Sequence, residues 1–272
     1  MRSRARVVES SSVNLRQLGH AVASGWGRIV APRRARRQAI LSAPFPQPWK
    51  DFLASRSPHY RRLPVADRAQ FDEQAQIFLA EKRITGVETE VSVEQKLLVA
   101  ASAVTLSVGW PEYTWDQLAE VLVYPDNFDR DYRFGGTDLS GQAHPWGIVI
   151  LSAPALVRSF ADTDHGYHLG FHEFAHLLDL VRARFDGIPA YLSDESIQQW
   201  VTILEREEER LRRGDSELSP YGLTSPAEMF AVAVEAFFQK PVALATSHGE
   251  LYAFLSSYFR QDPAAWIRSA IP

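Results

Sequence analysis

The sequence predicts a mostly helical α/β protein of the α+β type, with a small sheet and one active-site helix. Apolar residues recur at helical spacing through most of the chain after residue 64. Only a few stretches, such as 121–124 and 146–152, have the length and composition of strands. The apolar segment Phe171–Asp179 carries the pattern H-E-x-x-H, which indicates a buried helix with metal-ligating side chains.

The composition is that of a globular protein without thiol chemistry. The chain has 272 residues, of which 46% are hydrophobic and 23% charged, and it contains no cysteine. This excludes disulfides, thiolate catalysis and cysteine-ligated zinc, so any metal must be held by His, Asp or Glu. The formal net charge of −4 argues against a general nucleic-acid binder, and no direct contact with nucleic acid is expected. The absence of cysteine fits a cytoplasmic location.

The first forty residues differ from the rest in charge, because they carry many arginines and a single acid. We predict a basic, partly disordered segment at 1–40 and a single domain at 41–272. Within the domain, a helical part at about 41–85 precedes the catalytic part at about 86–272. No membrane span and no secretory signal are expected. The alternative for the basic segment is contact with anionic lipid or nucleic acid, which would show as salt-sensitive binding lost on its deletion.

Helices and turns in the first half of the chain are predicted from the positions of prolines and from the spacing of apolar residues. Short helices broken by prolines are expected between about residues 38 and 64, followed by an amphipathic helix to about Lys82. Residues 87–91 alternate with period two and predict a strand. A capping box that starts at Ser92 predicts an apolar helix through Leu106.

Two further strands and three further helices are expected. Residues 121–124 predict a short internal strand, and the glycine-rich segment 125–145 predicts a loop or an irregular hairpin. The apolar run 146–152 is either a core strand or a sheet edge against which an extended peptide pairs. The later helices are expected from Ser193 to Gly214, from Ser225 to about Gln239, and around residues 251–259.

The chemistry of the H-E-x-x-H segment follows from helical spacing. Residues four apart lie one above the other, so His172 and His176 can present their imidazoles to one point. Two neutral imidazoles suit Zn²⁺, and a catalytic site adds a third protein ligand and one open position. Glu173 lies beside the pair and can take a proton from water as a general base. Because two histidines and a glutamate are costly to bury in an apolar helix, a metal that satisfies them is the favoured interpretation.

The spacing of the motif does not identify the third ligand. The extension H-E-x-x-H-x-x-G-x-x-H fails, because Asp179 and Arg182 occupy its glycine and third histidine positions. Glu228 and Glu235 remain, since they lie seven residues apart on one face of an otherwise apolar helix. Each has an alternative role, in a capping box for Glu228 and as a hydrogen-bonded buried acid for Glu235. The residues alone leave the two as equal candidates.

Several motifs resemble the Mlc titration factor A (MtfA) family. The longest are H-E-F-A-H-x-L-D at 172–179 and P-Y-G-x-T-x-P-A-E-x-F-A-V-x-V-E-x-F-F at 220–238. Shorter ones, A-P-F-P at 43–46 and V-L-V-Y-P at 121–125, extend the match from about residue 40 onward. The resemblance implies a zincin-like, gluzincin-like peptidase of the bacterial cytoplasm with one Zn²⁺ per chain. It also implies a relation to the catalytic domain of anthrax lethal factor.

By motif position, the resemblance implies roles for seven residues. They are His172, His176 and Glu228 as zinc ligands, Glu173 as general base, Tyr221 as donor to the oxyanion or bound water, and Asp179 and Glu235 as hydrogen-bonding supports of the ligands. Asp179 would fix the tautomer of an imidazole. For Tyr221, a buried structural tyrosine is the alternative. His168, four residues before the first ligand, can either approach the metal or cap the helix.

The function expected from these assignments is the hydrolysis of peptide bonds through a metal-activated water. The substrate would be a peptide or protein, and the sequence does not decide between aminopeptidase-like and endopeptidase action. The resemblance also implies an alternative, because relatives bind the transcriptional repressor Mlc and inactivate it. In that case the chain is a regulatory binding protein whose zinc is mainly structural. The presence of Glu173 and Tyr221 favours the enzyme, since a structural site needs neither.

Overall fold

The computed structural model describes residues 33–112, 115–135, 139–161, 166–180 and 184–269. The chain divides into two compact units, residues 1–43 and 44–272. In the first unit, the described part contains helix α1 (Arg33–Leu41). Residues 1–32 of the predicted basic segment 1–40 lie outside the described residues. All other described elements belong to the second unit.

The second unit is mostly helical with a small sheet, which confirms the predicted fold class. Its described helices are α2 (Gln47–Arg56), α3 (Pro58–Arg62), α4 (Val65–Glu81), α5 (Val93–Ser107), α6 (Ala153–Ala161), α7 (Leu169–Asp179), α8 (Asp194–Arg213), α9 (Pro226–Gln239), α10 (Pro241–Ser247), α11 (Gly249–Phe259) and α12 (Pro263–Ser269). Its strands are β1 (Arg83–Gly86), β2 (Glu120–Tyr124), β3 (Gly141–His144) and β4 (Ile148–Ser152). A short 3₁₀ helix, Pro220–Thr224, precedes α9.

The sheet has four strands in the order β1-β2-β4-β3. Strands β1, β2 and β4 run parallel, and β3 pairs antiparallel with β4 at one edge. Because β4 has a partner on each side, the interpretation of residues 146–152 as a core strand is confirmed and the edge alternative is wrong. The edge strand next to β4 is β3, which lies within the segment predicted as a loop or irregular hairpin.

The prediction of a strand at residues 87–91 is wrong, because the observed strand begins about four residues earlier. Strand β1 precedes it, and the chain turns where the alternating residues begin, with Glu88 at a φ of 55°. A Cβ added to Gly86 would lie 2.0 Å from the carbonyl oxygen of Thr89, so the turn needs a glycine there. The alternation of polar and apolar residues therefore belongs to a tight turn.

Helix boundaries that were predicted from capping residues agree with the structure. At the start of α5, the Ser92 hydroxyl accepts from the Gln95 amide and the Gln95 side chain accepts from the Ser92 amide. Helix α8 ends at Gly214, whose φ of 78° is a left-handed conformation that glycine adopts without strain. The Ser225 hydroxyl caps α9 by accepting from the Glu228 amide at 3.2 Å.

Helix α7 lies in the core, and every residue of it is buried. It packs against α5, α9 and strand β3. The ring of Phe174 contacts those of Phe78 and Trp115 at centroid distances of 6.1 and 5.2 Å. A Cβ added to Gly170 would lie 2.0 Å from the Ser102 hydroxyl, so this glycine allows α7 to approach α5 closely. The core thus fixes the backbone that carries the H-E-x-x-H side chains.

Among the described residues, no single helix combines the length and the apolar composition needed to cross a membrane. Helices α9 and α10 meet that test only as a pair, and the chain bends by 115° between them.

Candidate metal centre

Helix α7 begins at His168, whose side chain caps it. The Nδ1 of His168 accepts a hydrogen bond from the Phe171 amide at 3.1 Å, and its ring stacks on the Phe171 ring. The capping alternative for this residue is therefore confirmed. The cap fixes the first turn, from which His172 and His176 follow one and two turns later on the same face.

Three side-chain atoms converge on one point. The Nε2 atoms of His172 and His176 lie 3.3 Å apart. The Oε2 of Glu228, in the first turn of α9, lies 2.9 Å from the Nε2 of His172 and 3.5 Å from that of His176. The three candidate ligand atoms are all within 4.8 Å of one another. The Glu228 carboxylate thus faces the histidines, and Ser225 caps α9 without it.

Glu235 contacts the opposite nitrogen of the first histidine. Its Oε1 lies 2.6 Å from the Nδ1 of His172, and its Oε2 accepts from the His168 amide at 2.6 Å. Glu235 is 3% exposed, so it reaches the site from within the protein. The sequence left these two glutamates as equal candidates for the third ligand, and the structure separates them. Glu228 lies at the point where the histidine Nε2 atoms converge, whereas Glu235 contacts the opposite nitrogen of His172.

This arrangement fits a bound cation. A carboxylate is acceptor-only, so the short contact to Glu235 places the imidazole proton of His172 on Nδ1. In the neutral ring that ligates a metal, the Nε2 of His172 then carries a lone pair that points at the Glu228 carboxylate, another acceptor. Acceptors that converge in a buried site need a cation between them. Two imidazoles and a carboxylate are a donor set that zinc uses in catalytic sites, with one position open.

Electrostatics at the site also favour positive charge. Burial lowers the pKa of His172, but hydrogen bonds to Glu228 and Glu235 outweigh it and raise that pKa well above its ordinary value. Burial opposes the ionisation of Glu228, yet its contacts to the two histidines lower its pKa to about 2. Burial raises the pKa of Glu173. The carboxylates thus surround the imidazoles with negative potential that a metal ion would neutralise.

Glu173 lies between α7 and the edge strand. A Cβ added to Gly141 on β3 would lie 2.6 Å from the Oε1 of Glu173 and 2.5 Å from the Cδ1 of Leu169. The strand therefore passes against the Glu173 carboxylate, and only a glycine leaves room for it. The sequence alone does not predict this role of Gly141, because a glycine in a polar segment predicts only a turn.

Tyr221 lies on the open side of the site, on the 3₁₀ helix before α9. Its ring centroid is 5.9 Å from that of His172, and the residue is 54% exposed. Burial and the nearby Glu228 and Glu173 raise the pKa of its phenol, so it stays protonated as a donor at neutral pH. The alternative of a buried structural tyrosine is wrong.

Asp179 does not fix an imidazole tautomer. Its carboxylate accepts from the amides of Asp186, Gly187 and Ile188 at 2.8 to 3.2 Å. The Nδ1 of His176 is buried and has no hydrogen-bond partner within the described part of the chain. The predicted role fails because the carboxylate lies beyond the end of the last helical turn, where it meets the free amides of the next loop.

The loop held by Asp179 contacts the segment that carries Glu228. Gly187 has a φ of +76°, and a Cβ added to it would lie 2.4 Å from the carbonyl oxygen of Pro226. Its own carbonyl accepts from the Trp200 indole at 2.7 Å. Asp179 thus holds the loop that packs against the start of α9, the helix that carries Glu228.

The chain is similar to a family of metallo-peptidases over most of its length. The family model described as the glucose-regulated metallo-peptidase M90 matches residues 31–260. This range covers most of the chain, including both histidines and both glutamates of the site.

The relatives are similar to this chain over more than four fifths of its length. The uncharacterized protein slr2042 of Synechocystis sp. is 29% identical over 244 residues, which cover 84% of this chain and 89% of that protein. The Mlc titration factor A of Salmonella agona is 27% identical over 81% of this chain and 88% of its own. That of Pectobacterium atrosepticum is 27% identical over 85% of this chain and 88% of its own.

Proposed function

The chain belongs to the glucose-regulated metallo-peptidase M90 family, and on that premise we propose that it is a zinc-dependent peptidase. In this proposal His172, His176 and Glu228 hold one Zn²⁺, and the observation that carries it is the convergence of their three ligand atoms. A relation to the lethal factor catalytic domain stays a prediction. So does the cytoplasmic location that the resemblance implies.

The zinc ion, when bound, supplies a Lewis acid that polarises a peptide carbonyl and acidifies a water molecule. Glu173 is the general base that accepts a proton from the attacking water and then donates it to the leaving amine. Its raised pKa suits that exchange, because a carboxylate that binds a proton more readily is a better base. Gly141 leaves the space in which this carboxylate sits.

Tyr221 is the donor for the developing oxyanion. Its exposed phenol stands beside His172 and keeps its proton, so it can donate to a carbonyl oxygen that gains negative charge. Glu235 orients His172 by accepting from its Nδ1. A peptide in the extended conformation pairs with the edge of β3 that has no strand partner among the described residues, which places its backbone next to Glu173.

Replacement of the base tests the proposal. Glu173→Gln keeps the size and the burial of the side chain but cannot take a proton, so kcat should fall by at least about 10²-fold while the zinc content stays unchanged. Amino-acid anilides and internally quenched peptides, assayed in parallel, separate aminopeptidase from endopeptidase action. Retained turnover in Glu173→Gln would contradict the assigned base.

A second function is favoured by the names of the relatives, because several of them are called Mlc titration factor A. In this alternative the chain binds a Mlc-like transcriptional repressor, and the metal mainly supports the fold. Binding needs no proton transfer, so Glu173→Gln would bind the repressor as tightly as the wild type. Zinc in both proteins, with activity on no peptide, would favour this alternative over the peptidase.

A further inference from the structure

A second cleft, with a volume of about 340 Å³, lies at the N-terminal end of helix α7. Its walls come from α3, from α6 and the start of α7, from the region where α9 passes into α10, and from α12. None of the residues that converge on the metal point lines it. Its volume falls in the range of clefts that hold small molecules.

The charged groups on its walls are all cationic within the described part of the chain. They are Arg62, at the end of α3, and Lys240, between α9 and α10. Neither side chain has a hydrogen-bond or ion-pair partner among the described residues, although acids are more numerous than basic residues in the whole chain. Two unpaired cations at one cleft favour an anion.

A buried donor adds to this pattern. The ring of His168 forms part of the wall, and the residue is 1% exposed. Its Nδ1 accepts from the Phe171 amide, so the proton of the neutral ring lies on Nε2. That Nε2 is buried and has no hydrogen-bond partner among the described residues. A buried donor without an acceptor is unfavourable, and an acceptor that enters the cleft would relieve it.

The remaining walls are largely apolar. They are formed mainly by Phe160, Phe171, Phe238, Val242 and Ile267. These side chains would pack against an apolar part of a ligand and exclude water from it. The two cations would bind an anionic group at one end of the same ligand. An inorganic ion would leave the apolar walls without a partner.

We propose that this cleft binds a small organic anion, with a carboxylate or phosphate group carried on an apolar body. Arg62 and Lys240 bind the anionic group, and the apolar walls bind the body. His168 also donates its backbone amide to Glu235, which holds His172. The cleft therefore adjoins the metal centre without sharing its ligand atoms.

Binding to the full chain tests the proposal. The probes are benzoate, phenyl phosphate and, as the neutral analogue, benzamide, measured by titration calorimetry on zinc-loaded and on chelator-treated protein. At least one anion should bind ten or more times tighter than benzamide in both preparations, and the tighter of the two identifies the anionic group. Binding that disappears on chelation would place the anion at the metal, and failure of both anions to bind below roughly 10 mM would also overturn the proposal.

Variants locate the bound anion. Lys240→Gln and Arg62→Gln should each weaken benzoate or phenyl phosphate binding by roughly 5- to 10-fold, since a charge-assisted hydrogen bond contributes about 1 to 1.5 kcal/mol in a partly exposed site. Arg83→Gln, which removes the same charge on β1, should leave the affinity unchanged. Equal affinities in all three variants and the wild type would overturn the proposal. The readout is binding, so its result is independent of whether the chain hydrolyses peptides.

Discussion

The two nitrogens of His172 have different partners, and this difference separates the two candidate glutamates. Glu235 contacts Nδ1 and Glu228 faces Nε2. The sequence could not distinguish them, because residues seven apart share a helix face and their depth in the protein is not a local property. The position of α9 against α7 decides that Glu228 reaches the point of convergence.

Zinc affinity tests this assignment. Glu228→Gln removes a charged ligand and should weaken zinc binding by more than about 100-fold, whereas Glu235→Gln only perturbs the support of His172 and should weaken it by about 10- to 100-fold. Competition with a chromophoric chelator measures both, and Glu217→Gln, on an exposed loop, is the control. The reverse order would make Glu235 the ligand.

A buried histidine away from the metal predicts a pH-dependent stability. His59 lies between the rings of Phe238 and Trp266, and its Nε2 contacts the Gln261 side chain. Burial lowers its pKa to about 4, with a smaller contribution from Arg62 that acts in the same direction.

Because the folded pKa of His59 is lowered, the unfolded chain binds its proton first as the pH falls. Its contribution to the free energy of unfolding is fully present above pH 6.5 and is lost towards pH 4, by about 3 kcal/mol in total. Urea denaturation of wild type and His59→Gln, both with chelator, should show this loss in the wild type alone. Parallel curves for the two proteins would contradict the prediction.

At the scale of elements, capped helices were predictable and the edge strand was not. Ser92, Ser225 and Gly214 mark helix ends because capping depends on neighbours in sequence. Strand β3 has the sequence Gly-Gln-Ala-His, which carries no apolar alternation, and it forms through its pairing with β4. Its partner follows after a short connection, but the polar residues of β3 carry no strand signal of their own, so the segment that passes Glu173 was predicted only as a loop or an irregular hairpin.

The substitution Gly141→Ala, which adds one methyl group to β3, tests whether the strand constrains the Glu173 side chain. Gly141→Ala should displace the Glu173 side chain and lower kcat by about 10- to 100-fold, since small misplacements of a catalytic group have effects of this size. Zinc affinity should not change, because the displaced group is not a ligand. The control is Gly249→Ala, where an added Cβ meets no atom within 4 Å. Full activity of Gly141→Ala would show that the strand does not constrain the base.

At the scale of the whole molecule, the metal should stabilise the fold, because its ligands come from two helices that are far apart in sequence. A ligand that binds only the folded state adds about 2.7 kcal/mol when its free concentration is 100 times its Kd. For a domain of this size, that corresponds to a rise in Tm of about 5 to 10 °C. Scanning calorimetry with zinc and with chelator should show this difference for the wild type and a much smaller one for Glu228→Gln. Equal Tm values with and without zinc would contradict the proposed site.

The proposed peptidase activity depends most directly on one metal ion held by His172, His176 and Glu228. The decisive measurement is zinc content by mass spectrometry, combined with X-ray absorption at the zinc edge, on protein purified without added metal. We expect one zinc per chain with two nitrogen ligands at about 2.0 to 2.1 Å, carboxylate oxygen and no sulfur. No zinc, or zinc with only oxygen ligands, would contradict the central claim, and the proposed peptidase mechanism would then lose its basis.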